Sequence, residues 1–349
     1  MTGGRWTVEL ATPASGPDLA PIYASDDGFE GDIAVRFLRG SDPYASLLAE
    51  GDAVVVPVVR DAETGRAVGM GACVIRTAWV NGEPRRVGYL TGLKLIPELR
   101  GTIPLIPQVF AFLGEHTHDV DLFVTTILTS NTRARRLLER RRAGMPEYRM
   151  VGAYTTHSFR VARPLGPGPR VTGGTLAELN ELAASRPSGP ANLAPVSPPT
   201  GATDSDVRIL RDRGGAPLAG CMVWDQTANK QYVIARYGGR YERMSRLPVH
   251  WLGYPRLPRV GVPADNAAIT MLAARDDNTD LVLRLVRGVG WRERDRDFLV
   301  AGVLEGHPYE PAFTRLRTIT YGSILYTVHF TPDSYGLDGR PVALDVGFL

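Results

Sequence analysis

At 349 residues the chain exceeds what one hydrophobic core organises efficiently and suits two domains. Apolar residues make up 44% and charged residues 22%, a balance that excludes a largely disordered chain, and a formal charge of +3 gives no footprint for nucleic acid. No run approaches the roughly 20 apolar residues that cross a bilayer, and the start, MTGGRWTVEL, has no basic segment followed by an apolar one, so no membrane is expected and the default compartment is cytoplasmic.

In chain order, 52–59 (DAVVVPVV) and 67–75 (AVGMGACVI) are β-rich, and the small and polar residues of DAETG between them predict a hairpin. A second turn falls at Asn81-Gly82, a pair that favours the positive φ angles of tight hairpins, so an antiparallel meander is expected. The period then changes. Apolar residues recur at helical spacing over 106–113, DLFVTTIL (121–128) reads as a buried strand, 131–142 is again helical, and 150–160 alternates like a strand. Proline and glycine crowd 164–204 around one short helical segment, TLAELNELAAS, which marks a linker.

The remaining residues, 205–349, repeat the order of the first 163. GMGACVI is echoed by LAGCMVW (218–224), DLFVTTIL by DFLVAGVL (297–304), and AYTTHSF by LYTVHF (325–330), with a helical segment, PYEPAFTRLR, after the second buried strand. Three echoes in one order predict a duplication. Cys73 and Cys221 sit in two of these apolar runs, which favours core packing over a disulfide.

The stretch RRVGYLTGLKLIPELRGT (85–102) followed by TTILTSNTRARRLLE (125–139) resembles the GNAT superfamily of N-acetyltransferases. The match covers about 52–160, and the second half is similar only in its order of elements. The resemblance implies an α/β fold with a mixed sheet, built as two tandem GNAT-like domains: 1–163 with the acetyl-CoA site, a linker over 164–204, and a degenerate copy over 205–349. It further implies that Arg100, Gly101 and Thr102 form the pyrophosphate loop. Leu93–Leu95 and 124–128 would be the two parallel strands that part to admit the pantetheine arm, with Leu93 and Leu95 beside it. Asn131 would open the helix that follows.

A helix N-terminus presents unpaired N–H groups and partial positive charge, so a strand–loop–helix junction suits a diphosphate. Two departures from the family pattern stand out. Ile103 and Leu105 occupy the places of small loop residues, with Pro104 between them, and Leu138 stands where the family often has a tyrosine that protonates the leaving thiolate. Tyr148 and Tyr154 are the remaining candidates for that acid. No carboxylate lies in 89–96, so a water chain or an amine of low pKa would replace a side-chain base. The arginines of 131–142 could meet the 3′-phosphate of coenzyme A, although a solvated helix face accounts for them more simply. His116 and His118 have a metal-like spacing but no third ligand nearby. In the second copy, ARDDNTDL (274–281) puts acids where a pyrophosphate would sit, so that cofactor site is expected to be lost.

The expected activity is therefore transfer of an acetyl or other acyl group from acetyl-CoA, as co-substrate, to a small-molecule or peptide amine. A non-catalytic acyl-CoA-binding module is the alternative, and homo-oligomerisation is left open.

Overall fold

The first half is a run of strands that alternate or are wholly apolar, interrupted by four helices. In the computed structural model, which describes residues 5–24, 31–99, 105–140, 142–166, 168–187, 189–331 and 335–349, it comprises β1 (Trp6–Leu10), α1 (Gly16–Ala24), β2 (Ile33–Leu38), α2 (Pro43–Leu48), β3 (Ala53–Val55), β4 (Pro57–Asp61), β5 (Ala67–Val80), β6 (Glu83–Leu95), α3 (Leu105–His116), β7 (Leu122–Leu128), α4 (Thr132–Leu138) and β8 (Glu147–Phe159). There follow β9 (Arg170–Gly173), α5 (Leu176–Ala184), β10 (Val207–Arg211), β11 (Pro217–Trp224), β12 (Gln231–Tyr237), α6 (Gly239–Met244), β13 (Asn266–Ala274), α7 (Thr279–Arg292), β14 (Phe298–Leu304), α8 (Glu310–Thr314) and β15 (Thr318–His329). No helix among the described residues is long and apolar enough to cross a membrane.

Local chemistry sets the turns. Asn81 and Gly82 both take positive φ, 54° and 88°, and join β5 to β6 with Val80 opposite Glu83. Thr175 and Glu178 form a capping box that starts α5. The proline-rich stretch supplies more than a connection: β9 pairs with β10, and α5 buries Leu179 and Leu182 against the same edge of the sheet.

One mixed sheet runs through the molecule in the order β1-β4-β5-β6-β7-β15-β8-β14-β13-β11-β10-β9, with β3 paired to β5. This order is nearly symmetric about its centre. The echoed segments occupy matching places: β5 and β11, β7 and β14, β8 and β15. At the centre β8 and β15 are antiparallel from Phe159↔Thr318 to Glu147↔His329. Each also pairs with the opposite half, β15 with β7 and β8 with β14. The two halves have exchanged their last strands. A second, two-stranded sheet repeats the theme by pairing β2 with β12.

Both faces of the sheet are covered, which is why β5 is buried along nearly its whole length. One face carries the first core around Leu19, Val59, Met70, Val109 and Phe110. The other packs Val87, Tyr89, Val124 and Tyr154 beneath Leu193, Val342 and Leu344 from the linker and the final segment. The second half has its own core, formed by Val286, Val289, Leu299 and Phe313. Cys73 and Cys221 are buried and free, and burial pushes both thiols up to about 12, so neither is ionised near neutrality.

Strand exchange makes the halves interdependent. Residues 1–163 expressed alone would leave β8 without either of its sheet partners. We expect that fragment to lack a cooperative unfolding transition by circular dichroism, and to acquire one on co-refolding with 164–349. A cooperative transition in the fragment alone would contradict the exchange.

Candidate active site

The site begins with a bulge in β6. Gly92 has φ of +63°, and the register with β5 shifts between Met70 and Ala72, so Gly92 and Leu93 together oppose Gly71. A Cβ on Gly92 would lie 2.8 Å from the Tyr23 hydroxyl, so geometry and space both demand glycine. Just before this point β6 and β7 part. Their parallel register runs only from Val87↔Leu122 to Tyr89↔Val124. Past it, side chains span the opening: Thr125 Oγ1 donates to the Leu90 carbonyl at 2.7 Å, and the Tyr89 and Thr126 hydroxyls are 2.7 Å apart.

A cavity of about 740 Å³ opens through this gap. Its first end lies against α3 and α4 and is apolar, lined by Ile106, Val109, Phe110, Leu137 and Tyr148. Arg133, Arg136 and Arg140 stand exposed at its rim. The second end lies over the central seam, at Thr156, Tyr321 and Ser323, and is roofed by Phe37 and Arg39 near β2 and by Lys230 and Tyr232 at β12. Tyr321 is 37% exposed, so its ring is in contact with the solvent space.

Charge is concentrated at the second end. Arg39 donates two hydrogen bonds to Glu50, at 3.0 and 3.1 Å, and one to Ser46 at 3.2 Å. Burial disfavours its charge, but Glu50 outweighs that and holds the guanidinium above its ordinary range. Lys230 is 3.5 Å from Glu50 and donates to the Leu349 backbone oxygen. Here burial wins, and the ammonium pKa is lowered. Arg39 and Lys230 line the cavity whereas Glu50 does not, so the wall it presents is cationic.

The residues anticipated from the sequence fall into three groups. Leu93, Leu95, Asn131 and Tyr148 line the cavity. Asn131 also caps α4, its Oδ1 accepting from the Ala134 N–H at 3.0 Å. Tyr148 packs edge-on against Phe110 and Tyr326, has no hydrogen-bond partner among the described residues, and has its phenol pKa raised by burial. Tyr154 lies elsewhere: its hydroxyl donates to the Leu344 carbonyl at 2.8 Å within the opposite core. Arg100, Gly101 and Thr102, with Ile103 and Pro104, lie outside the described residues. Arg39, Thr156, Lys230, Tyr232, Tyr321 and Ser323 were not anticipated; they come from segments far apart in sequence, and no motif joins them.

The second half has the same device in a closed form. In β13, Met271 takes φ of +52° where the register with β11 shifts, and the pairing with β14 runs only from Asn266↔Phe298 to Ala268↔Val300. The Met271 N–H is bound by Asp345 Oδ2 at 2.8 Å. The Ala274 N–H donates to the Tyr309 hydroxyl at 3.1 Å, and that hydroxyl donates to Asp277 at 2.8 Å. Tyr309 and Phe313 are buried in that core. Burial raises the Asp345 carboxyl to about 6.

No family model and no curated protein matches the sequence. Solved structures do resemble the fold. A GCN5-related N-acetyltransferase from Sphaerobacter thermophilus is 16% identical, with 95% of this chain and 98% of that chain covered and a TM-score of 0.52. Saccharomyces cerevisiae N-myristoyltransferase with bound myristoyl-CoA is 10% identical, covering 99% and 85% with a TM-score of 0.58. The third is a GCN5-related glucosamine N-acetyltransferase region within a fungal multi-domain GH3 β-N-acetylglucosaminidase. It is 13% identical, covering 94% of this chain and 38% of that one, with a TM-score of 0.59. At these identities the likeness establishes the fold alone.

Two outcomes follow. Gly92→Ala places a side chain at positive φ against Tyr23 and should cost about 1–3 kcal/mol in urea denaturation; an unchanged midpoint would mean the bulge tolerates it. Asp345 has a folded pKa above its ordinary 3.8, so its contribution to stability falls as pH rises from about 4 to about 6. Asp345→Asn, which keeps an acceptor for Met271, should gain up to about 3 kcal/mol on wild type between pH 4 and pH 7. A pH-independent difference would refute this.

Proposed function

Because the chain carries the fold of the GNAT superfamily, with two GNAT-like units in tandem, we propose that it is an acyl-coenzyme A-dependent N-acyltransferase. The observation that supports this best is the parted β6–β7 pair, open from the α3–α4 side through to the seam. Within this reading, pantetheine lies along Leu93 and Leu95, and Arg100, Gly101 and Thr102 hold the diphosphate at the start of α3. Arg133, Arg136 and Arg140 meet the 3′-phosphate. Acetyl-CoA is the simplest donor, and the acceptor is a small-molecule or peptide amine.

The chemistry asked of the residues is modest. The amine nitrogen attacks the thioester carbonyl, the carbon–sulfur bond breaks, and the thiolate takes a proton. A backbone N–H freed at the Gly92–Leu93 bulge polarises the carbonyl. Tyr148, kept protonated by burial, supplies the proton to sulfur, a role that Tyr154 cannot share while bonded to Leu344. The cationic wall of Arg39 and Lys230 disfavours an ammonium, so the acceptor enters neutral and sheds its proton to water held by Thr156, Tyr321 and Ser323.

One observation favours a second reading, acyl-CoA binding without turnover: no Asp or Glu side chain lines the cavity among the described residues. Thermal melting with acetyl-CoA and longer acyl-CoAs tests binding, since a ligand at about 100 times its Kd stabilises by about 2.7 kcal/mol. Thiol release with an amine panel then separates the readings. Arg133→Ala/Arg136→Ala should weaken CoA about tenfold or more and leave dephospho-CoA unchanged. Absence of any shift with every acyl-CoA would defeat both readings.

A further inference from the structure

A second concave site lies on the second half, on the helices that correspond to α3 and α4. As α3 follows β6 and α4 follows β7, so α7 follows β13 and α8 follows β14. Asp280, Leu283, Arg284 and Arg287 stand at helical spacing on α7, so one face of that helix carries them all. With Arg315 at the end of α8 and residues 163–166 beyond β8, they enclose a groove of about 420 Å³. Arg163, Arg284, Arg287 and Arg315 line it against the single carboxylate of Asp280, so four positive charges less one negative leave a formal +3.

Such convergence of like charge is costly without a counter-ion. Where arginines are neutralised elsewhere, the acids stand beside them: Arg296 alone meets Asp225, Asp265 and Glu293. In the groove, Arg315 is paired with Asp280 at 2.6 Å and Arg284 donates to the Pro169 carbonyl at 3.3 Å. Arg163 and Arg287, both exposed, have neither an ion pair nor a hydrogen bond among the described residues. Three separate segments therefore bring planar donors to one concavity and leave two of them unspent.

We propose that this groove is a binding site for a small ligand carrying one or two phosphoryl groups, distinct from the β6–β7 cavity and independent of the function proposed above. Arginine forks match phosphoryl oxygens bidentately, and the volume lies within the range of small-ligand sites. Because Asp345, Tyr309 and Phe313 close the gap behind it, an anion can dock there but no thioester arm can follow. The site is thus suited to an auxiliary or regulatory anion and not to a second turnover.

Isothermal titration with inorganic pyrophosphate and with adenosine 3′,5′-diphosphate tests this, using the full chain and two double variants. Arg163→Ala/Arg287→Ala should bind both anions at this site about tenfold or more weakly, with its unliganded melting temperature within about 2 °C of wild type. Arg133→Ala/Arg136→Ala, on the other half, should retain the site. Tighter binding of the nucleotide would identify a nucleotide ligand, and equal binding would identify the phosphoryl group as the whole determinant. No heat with either anion, or binding unaltered by Arg163→Ala/Arg287→Ala, overturns the proposal. Neither result bears on acyl-CoA binding, which the melting experiment reads separately.

Discussion

The cavity depends on β7 having a second partner. A strand that leaves one neighbour keeps its place in the sheet only through the neighbour on its other edge, and the backbone groups it turns to the gap, each costing about 1–3 kcal/mol when unsatisfied, are left to side chains, water or a ligand. From Thr125 onward β7 has left β6, yet Thr125, Thr126, Ile127 and Leu128 stay paired with Tyr326, Leu325, Ile324 and Ser323 of β15. The opening in the first half is thus held by the last strand of the second. Reciprocally, β14 beyond Val300 has left β13 and is paired with β8. Exchange of the final strands is what allows both parallel pairs to part in one continuous sheet.

Given that shared device, the difference between the halves lies in what meets each bulge. In the first, glycine at position 92 brings the backbone to the cavity surface with Tyr23 the nearest side chain, ahead of Ala72 and Met70. In the second, a methionine takes the left-handed conformation at a cost of about 1–2 kcal/mol, and Asp345 occupies its N–H. Asp345 comes from the final segment, whose neighbours also satisfy Tyr154 through Leu344 and Gln226 through Gly347. The segment that closes the second gap also reaches the roof of the first, where the Leu349 backbone oxygen accepts from Lys230. What meets each of the two bulges is thus set by the same few residues.

Much of this was legible in the sequence because it is local. The Asn81-Gly82 turn, the helical spacing of α3 and the apolar runs of β7 and β14 all encode their own conformation, and the three echoes foretold the pseudo-symmetry. Strand exchange was not legible, since alternation tells which face of a strand is buried and nothing about which strand lies beside it. The tyrosine pair shows the same limit at one residue. Tyr148 and Tyr154 are six apart and should share a face of β8. The ladder with β15, however, passes from Gly152↔Leu325 to Met150↔Tyr326 and skips Val151. That extra residue reverses the parity, so Tyr148 packs near Phe110 in one core and Tyr154 beneath Leu344 in the other.

The seam end of the cavity was illegible for a further reason, which bears on the chemistry proposed for it. Its lining joins residues 37–39 to 230–232 through the β2–β12 sheet and 156 to 321 through the seam, so it exists only where the halves meet. A wall assembled this way can be cationic without a motif to announce it, since Arg39 is held by Glu50 and Ser46 from one half and Lys230 reaches the same Glu50 from the other. Glu50 is 2% exposed and turned to the guanidinium, so it steadies the charges without presenting its own. Removing either cation would leave the buried carboxylate less compensated, which is why both persist in an environment that penalises each. The positive wall is therefore a structural requirement of the roof, and the preference for an uncharged amine proposed above would be its consequence.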